Sequence, residues 1–447
     1  MTGAELRKKA AEYIIRIFHK NSYLNIILTN INSSKELKFQ EKGYLTETLT
    51  GIVIWKNKLD WIISEYSNIP LKKLENLVYS YLLLGFYDLA IKEDLPDYAA
   101  VDQVVQAAKG EKGKKAAGFI NAVFRSYLRD RSKPSAELEI LKTKDKTKYI
   151  SILHSHPEWM IKRWLGRYGF ENTVKLCEWN NSKPERTIKI NAAIKDHNIF
   201  VEYLFEKNFV KREYSDEFYI YHVNNLQKLI HSDWFGKGYF IIQSASSTLP
   251  VIALGLKDGD SVLDICSAPG GKTAFISELI GNKGKVTAVD LKPGRLRLVK
   301  ENVKRLGLKN IKTVCEDGTK FITEEKYDKI LIDAPCSGFG SINRKPDIKW
   351  KRRSGDLSDL SGIQTDLLQN SSGLVKPGGS IIYSTCTIEP EENEQIIENF
   401  LGQNGNFEPE EIEKFDKFGF GKPSIITTLP FLHNLDGSFI AKLRRIT

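Results

Sequence analysis

Long apolar runs are missing from this chain of 447 residues. No stretch approaches the ~18 apolar residues that cross a bilayer, so a membrane-spanning helix is not expected. The opening segment MTGAELRKKAAEYIIRIFHK mixes charge into an amphipathic helical pattern. It lacks the apolar core and small-residue cleavage site of a secretion signal, which points to a cytoplasmic protein. Cysteine is sparse: Cys177, Cys266, Cys315, Cys336 and Cys386 are all there are. The count is odd and no pair has C-x-x-C spacing, which argues against a disulfide framework and against a zinc knuckle. The seven histidines are scattered, so no metal centre is expected. Internal repeats and low-complexity tracts are also lacking.

What is present is an ordinary globular composition, 41% hydrophobic and 27% charged, long enough for two to four domains. Net charge is +10, and the excess sits early: the first 150 residues hold 25 basic and 18 acidic side chains. That suits a polyanionic partner, although a solvated lysine-rich helical surface gives the same count. Residues 1–132 read as helices. LRKKAAEYIIRIFHK sets Leu6, Ala10, Tyr13, Ile14 and Ile17 on one stripe, and a break at GEKGKK precedes a last helix, AAGFINAVFRSYLRD. The segment is either a plain bundle or an RNA- or protein-docking module. RSKPSAELEILKTKDKTK has the composition of a linker. Residues 148–245 read as a small α+β domain rich in aromatics, with a strand near Ile188 to Asn191.

In residues 246–447 strand and helix alternate. SVLDIC, KVTAVD, IKTVC, YDKILIDAPC and SIIYSTC are apolar strands with helical segments between them. That is a mostly parallel sheet covered on both faces, to which a terminal hairpin would add one antiparallel strand at the edge. Ligands of such sheets bind off the carboxyl ends of the strands. The loop from Cys266 through Ser267, Ala268, Pro269, Gly270 and Gly271 to Lys272 lies at the first such end. Its glycines let backbone approach a ligand closely, and its proline stiffens the turn. Asp290 ends the second strand about 20 residues on, where an acid meets ribose hydroxyls, and Asp317 follows the third, within reach of an adenine amine. The loop is not G-x-G-x-x-G. Its GKT lacks the earlier glycine of a triphosphate loop, since Cys266 stands there. An adenosine-containing cofactor fits, either a dinucleotide or S-adenosylmethionine.

DICSAPGGKT, DAPCSGFG and YSTCTIEPEENE, in this order, resemble the RNA (cytosine-5) methyltransferases of the NOL1/NOP2/Sun family. The closing TLPFLHNLDGSFIAKLRR resembles that family's last strand. LRKKAAEYIIRIF, DLPDYAAVDQVVQAAK and AAGFINAVFR resemble NusB-like RNA-binding helices. The resemblance implies three parts: an all-α NusB-like domain (1–132), a middle domain that positions substrate (148–245), and a Rossmann-like catalytic domain (246–447). It implies S-adenosylmethionine as methyl donor and 16S rRNA as substrate, naked or in an early small-subunit particle, for a monomeric enzyme without metal. It also implies a target, cytosine 967 of that RNA.

The chemistry needs a thiol because C5 of cytosine is too weak a nucleophile alone. By family resemblance Cys386 attacks C6 and Cys336 assists release of the adduct, so the two are not a disulfide pair. Asp333 holds N3 or the amino group of the flipped base and borders the cofactor. Lys272 orients base or cofactor and favours thiolate. Cys266, Cys315 and Cys177 read as small buried hydrophobes at the level of their thiols. A helix starting near Pro390 offers Cys386 its dipole, offset by Glu391 and Glu392. NRKPDIKWKRR, just after Cys336, is either a solvated loop or an RNA contact. Family members often carry an arginine just before the middle-domain asparagine; here the nearest cation is Lys189, which keeps the charge and loses the bidentate fork. The competing readings are a tRNA cytosine-5 methyltransferase, a non-catalytic RNA-binding or assembly factor, and a nicotinamide-dependent oxidoreductase. An exocyclic-amine methyltransferase is disfavoured, because DAPC replaces its Asn/Asp-Pro-Pro-Tyr loop.

Overall fold

The first helix, Gly3–Phe18, starts where Thr2 and Glu5 cap each other: Glu5 N donates to Thr2 Oγ1 at 3.2 Å and Thr2 N to the Glu5 carboxylate at 2.7 Å. Its stripe of Ala10, Ile14 and Ile17 is buried, as the spacing predicts. Asn76–Tyr87 is apolar nearly all round and is correspondingly buried on every side. Arg7 reaches Asp88 at 2.8 Å in a buried ion pair. The computed structural model describes residues 1–92 and 95–447, Lys417 by its backbone alone. It divides into two units, Met1–Ser182 with Ile342–Arg352, and Lys183–Ser341 with Arg353–Thr447.

One expectation for the first unit holds and one needs correction. The break at GEKGKK is present: Gly113 (φ 77°) is non-helical and kinks the run Asp97–Arg129 between two helical stretches. The expected linker is helical: Lys133–Lys144 and Lys146–Leu153 precede Glu158–Asn181. Lys, Glu and Leu are good helix formers and Pro134 sits in the first turn, so a mostly exposed helix has the composition of a linker.

The basic segment after Cys336 is neither a solvated loop nor a free RNA-contact loop at its centre. Lys349 is fully buried in the first unit, donating to Ile54 O (2.9 Å), Ser155 O (2.8 Å) and Asn181 Oδ1 (3.0 Å). Those three acceptors match the three protons of an ammonium. Burial pushes the Lys349 amine down to about 7. Trp350 Nε1 donates to Val53 O at 2.7 Å, and Asp347 accepts from Leu24 N at 2.9 Å.

The second unit holds two sheets. Strands β1 (Thr187–Ile190), β2 (Val210–Ser215), β3 (Ile220–Val223) and β4 (Phe240–Ile242) form an antiparallel sheet in the order β2-β3-β1-β4. Lys189 on β1 is buried here: it pairs with Glu278 at 2.8 Å and lies 4.6 Å from the Phe275 ring centroid. Its charge is therefore spent inside the unit. Asn191, just beyond, donates to Gly238 O and Leu306 O, each at 3.0 Å.

The larger sheet contains β5 (Ser261–Ile265), β6 (Lys285–Val289), β7 (Ile311–Val314), β8 (Tyr327–Asp333), β9 (Val375–Thr385), β10 (Phe407–Pro409), β11 (Ile425–Thr428) and β12 (Ser438–Arg445). The order is β10-β12-β9-β8-β5-β6-β7, with β11 also paired to β12. Strands β5 to β9 are mutually parallel, and β12 runs antiparallel to β9. The terminal strand is thus not the outer edge. It lies beside β9 and carries both β10 and β11 on its far side. The chain reverses its direction of growth between β5 and β8, which opens a crevice at their carboxyl ends.

Candidate active site

The loop after β5 turns sharply at Cys266 (φ 62°) and Gly270 (φ 100°). A Cβ on Gly270 would lie 3.1 Å from Val299 Cα, so glycine answers both the conformation and the close approach. Helix Gly271–Leu279 then starts with Lys272 in its first turn. Ser267 N donates to Val289 O at 3.0 Å, Arg295 caps Ala268 O at 2.8 Å, and Asn302 reaches Pro269 O at 3.0 Å. The loop is held by its own neighbours.

Asp290 directly follows β6 and is buried. It accepts from Ala268 N (3.2 Å) and Lys292 N (3.1 Å), so this acid braces the glycine loop. Asp317, beyond β7, accepts from Thr319 N and Oγ1. The backbone bond to Thr319 holds its carboxyl below the usual range. Asp333 ends β8 and meets Lys272 Nζ at 2.6 Å, with Ser384 Oγ also within 3.3 Å. Parallel pairing of β8 with β9 sets Asp333 opposite Ser384. The next residues of both strands then run side by side, and this brings the thiols together. Cys336 Sγ and Cys386 Sγ are 3.2 Å apart, and Cys386 N approaches Cys336 Sγ at 3.3 Å. Cys386 is exposed and Cys336 half-buried. The hydrogen bond with Cys386, then burial, hold the Cys336 thiol well above its usual range.

The remaining cysteines divide differently than expected. Cys177 is buried in the first unit, and burial pushes its thiol up. Burial pushes Cys266 up to about 12. Cys315 is exposed, with Sγ 3.7 Å from Leu291 O, and is not a buried hydrophobe. The helix expected to aid Cys386 is a short 3₁₀ turn, Pro390–Glu392, and the α-helix proper starts only at Glu394. Its dipole therefore acts on Cys386 from further away than the sequence suggested.

The sequence reading missed Asp264 and gave Glu392 only the part of an acid opposing a helix dipole. Asp264, inside β5, is fully buried. It accepts from Thr273 Oγ1 at 2.5 Å through one oxygen, while the other has no partner. Burial pushes its carboxyl up to about 7. An acid in the middle of SVLDIC was the available signal. Glu392, also fully buried, accepts from Ser337 N at 2.8 Å and Gln364 Nε2 at 3.0 Å.

The family model of the 16S rRNA methyltransferase RsmB/F matches residues 251–444, that of the NusB family residues 4–129, and that of the RsmF/B-like ferredoxin-like domain residues 156–215. The chain is 35% identical to the probable ribosomal RNA small subunit methyltransferase B of Bacillus subtilis, over 100% of both chains. The chain belongs to the RsmB family of methyltransferases. It is 32% identical to ribosomal RNA small subunit methyltransferase B of an Enterobacter species, over 99% of each chain. The crystal structure of PH0851 shares the fold at TM-score 0.76 and 24% identity, covering 100% of this chain and 99% of that one. A NusB domain, a ferredoxin-like middle domain and a methyltransferase domain with a mixed sheet account for the architecture. The chain is a methyltransferase, and S-adenosylmethionine is its cofactor.

The residues at the carboxyl ends of β5, β6 and β8 suit that cofactor. Ser267 Oγ is buried without a partner beside the glycine loop, an acid follows β6 and another ends β8, and the backbone at Gly270 leaves no room for a side chain. Among the described residues, no helix is long and apolar enough to cross a membrane.

Proposed function

We propose that this methyltransferase acts in the cytoplasm on C5 of one cytosine in 16S ribosomal RNA, through a covalent adduct between Cys386 and C6 of the base. The observation that carries the reading is the 3.2 Å approach of two thiols beside the Lys272–Asp333 pair. S-adenosylmethionine supplies an electrophilic methyl group on a sulfonium. The loop from Cys266 to Lys272, with Asp290, Asp317 and Asp333, would hold it. Its positive charge suits three carboxylates, and ribose hydroxyls suit Asp290.

On this reading the Cys386 thiolate forms a bond to C6, and the electrons displaced make C5 enamine-like. Asp333, kept in place by Lys272 and Ser384, accepts from the amino group of the base, and the Lys272 ammonium beside it steadies the negative charge developing at N3. After methyl transfer the C5 proton leaves to water. The C6–S bond breaks, and its electron pair returns to the Cys386 sulfur. The Cys336 thiol offers a hydrogen bond to that departing thiolate. A cytosine must leave its stack to reach such a pair, which costs least in an RNA loop or single strand. The division 1–132, 148–245 and 246–447 gives the first two parts the task of holding the RNA; the NusB family match and the rRNA methyltransferase names of the relatives support rRNA as that partner.

The test is methyl transfer from labelled S-adenosylmethionine to protein-free small-subunit rRNA or to tRNA, both lacking cytosine methylation, with 5-methylcytosine mapped by bisulfite sequencing. One protected cytosine in rRNA is the expected result. Label confined to tRNA would overturn the substrate, and methylation at an exocyclic amine would overturn the thiol mechanism.

A further inference from the structure

Near the two thiols sits a charged side chain that methyl transfer as described leaves without a task. Glu392 is fully buried, and its partners are neutral donors. Oε1 accepts from Ser337 N and from Gln364 Nε2, and Oε2 accepts from Ser337 Oγ. Gln364 Nε2 also donates to Pro335 O at 2.9 Å. The carboxylate thus grips the chain on both sides of Cys336. Ser337 Oγ has one proton, which goes to Glu392, so its 2.8 Å contact with Thr387 Oγ1 requires the Thr387 hydroxyl to donate. Through that hydroxyl the same carboxylate reaches the residue after Cys386. Gly340 N closes the cage by donating to Cys386 O at 3.0 Å, and Tyr383 Oη fixes the Glu392 backbone through its carbonyl at 2.7 Å.

Burial pushes the Glu392 carboxyl up, the donors from Ser337 and Gln364 pull it back, and a neutral amide of the same shape would cost less. What the charge adds is a field on its neighbours. Among the ionisable groups near Cys336 are Cys386, Glu392 and Tyr383, with the Lys272–Asp333 pair beside the thiols. A negative neighbour favours the protonated form of a thiol. The Cys386 amide, donating to Cys336 Sγ, pulls the other way with a smaller effect.

We propose that Glu392 is the positioning residue that divides the labour of the two thiols: its carboxylate fixes the turns bearing Cys336 and Cys386, and its charge keeps Cys336 protonated so that Cys386 ionises and attacks. The proposal deepens the two-thiol reading above and rests on it for the word "attacks".

Thiol reactivity reads this directly. Wild type and Glu392→Gln are treated with iodoacetamide across a pH series, and each cysteine is followed by peptide mass spectrometry. Cys386 reacts first in the wild type. In Glu392→Gln the Cys336 rate at fixed pH rises about tenfold or more, the equivalent of one pH unit, while Cys386 changes little. An unchanged Cys336 rate, in a variant that melts cooperatively and binds S-adenosylmethionine as the wild type does, overturns the proposal. Ser337→Ala cuts the bridge to Thr387 and leaves the charge, so Cys336 stays slow; a rise equal to that in Glu392→Gln overturns the role of charge. Should the glutamine variant not fold, the wild type carries the test, and Cys336 reacting at lower pH than Cys386 overturns the proposal. No arm needs RNA or turnover. A wild type that methylates no cytosine would sink the function and leave the thiol order standing.

Discussion

Cys336 and Cys386 are 50 residues apart in the chain, and their sulfurs are 3.2 Å apart in space. Each follows a strand, and the strands are parallel neighbours in register from Asp333 and Ser384. The fold therefore presents two thiols to one small volume from two separate loops. Of this pair, Cys386 is exposed and Cys336 half-buried. A base approaching from solvent meets that sulfur first, and the half-buried Cys336 is placed to act on the bond it forms.

Removing each sulfur should have opposite effects on the trapped state. Cys336→Ala keeps the attacking group and loses the hydrogen bond to the leaving thiolate, so protein–RNA adduct should accumulate on denaturing gels. Cys386→Ala should form none, with turnover reduced on the order of 10⁴-fold. Accumulation in Cys386→Ala instead would exchange the roles.

Asp264 predicts a pH dependence of stability. Burial disfavours the charge and pushes its carboxyl up to about 7, from the ordinary aspartate value of about 4. The folded chain then binds that proton more tightly than the unfolded chain. Stability from this group is fully present below about 4 and is lost as pH rises through about 7. Asp264→Asn should flatten that decline and be the more stable protein at pH 8, by up to about 4 kcal/mol, with little difference at pH 4. Thermal melts of both proteins at the two pH values give the comparison, and parallel curves would mean that Asp264 is ionised throughout.

Gly340→Ala should damage the site from the backbone. A Cβ there would lie 1.9 Å from the carbonyl oxygen of Gly437, which has no flexible end to move. Gly340 N also holds Cys386 O, and Gly437 N holds Gly340 O at 2.8 Å. The expected loss is about 1–3 kcal/mol of stability, together with slower methyl transfer. A melt and an initial rate equal to wild type would show that this turn yields freely.

Salt separates the two ligands. If RNA is held through phosphates, raising ionic strength should weaken RNA binding steeply and leave S-adenosylmethionine binding nearly unchanged. Titrations of each ligand at low and high salt decide it. Equal loss of both would remove the argument from the basic N-terminal segment.

The parts of the site that follow strand ends were legible in the sequence. Asp290, Asp333, Cys336 and Cys386 each close an apolar run, and the open α/β pattern gathers such ends along one crevice. The parts that depend on distant partners were not. Glu392 reads as one more acid in a polar turn, because its donor Ser337 is 55 residues away. Lys349 has the local signature of a solvated lysine, and nothing beside it records that three acceptors from far upstream surround it. The helix Lys133–Lys144 was lost for another reason: with little buried face, its apolar period is too weak to separate from a polar connector.

The strap at 342–352 bears on how the molecule is made. The carbonyls of Val53, Ile54 and Ser155 receive their donors from Trp350 and Lys349. A ribosome that has delivered the first 182 residues has delivered an incomplete helical unit, with those carbonyls still waiting on water. The unit closes only after roughly 170 further residues emerge. A gene fragment cut after residue 182 would lack part of the interior it needs, and the same fragment supplied with a peptide spanning 342–352 should recover it.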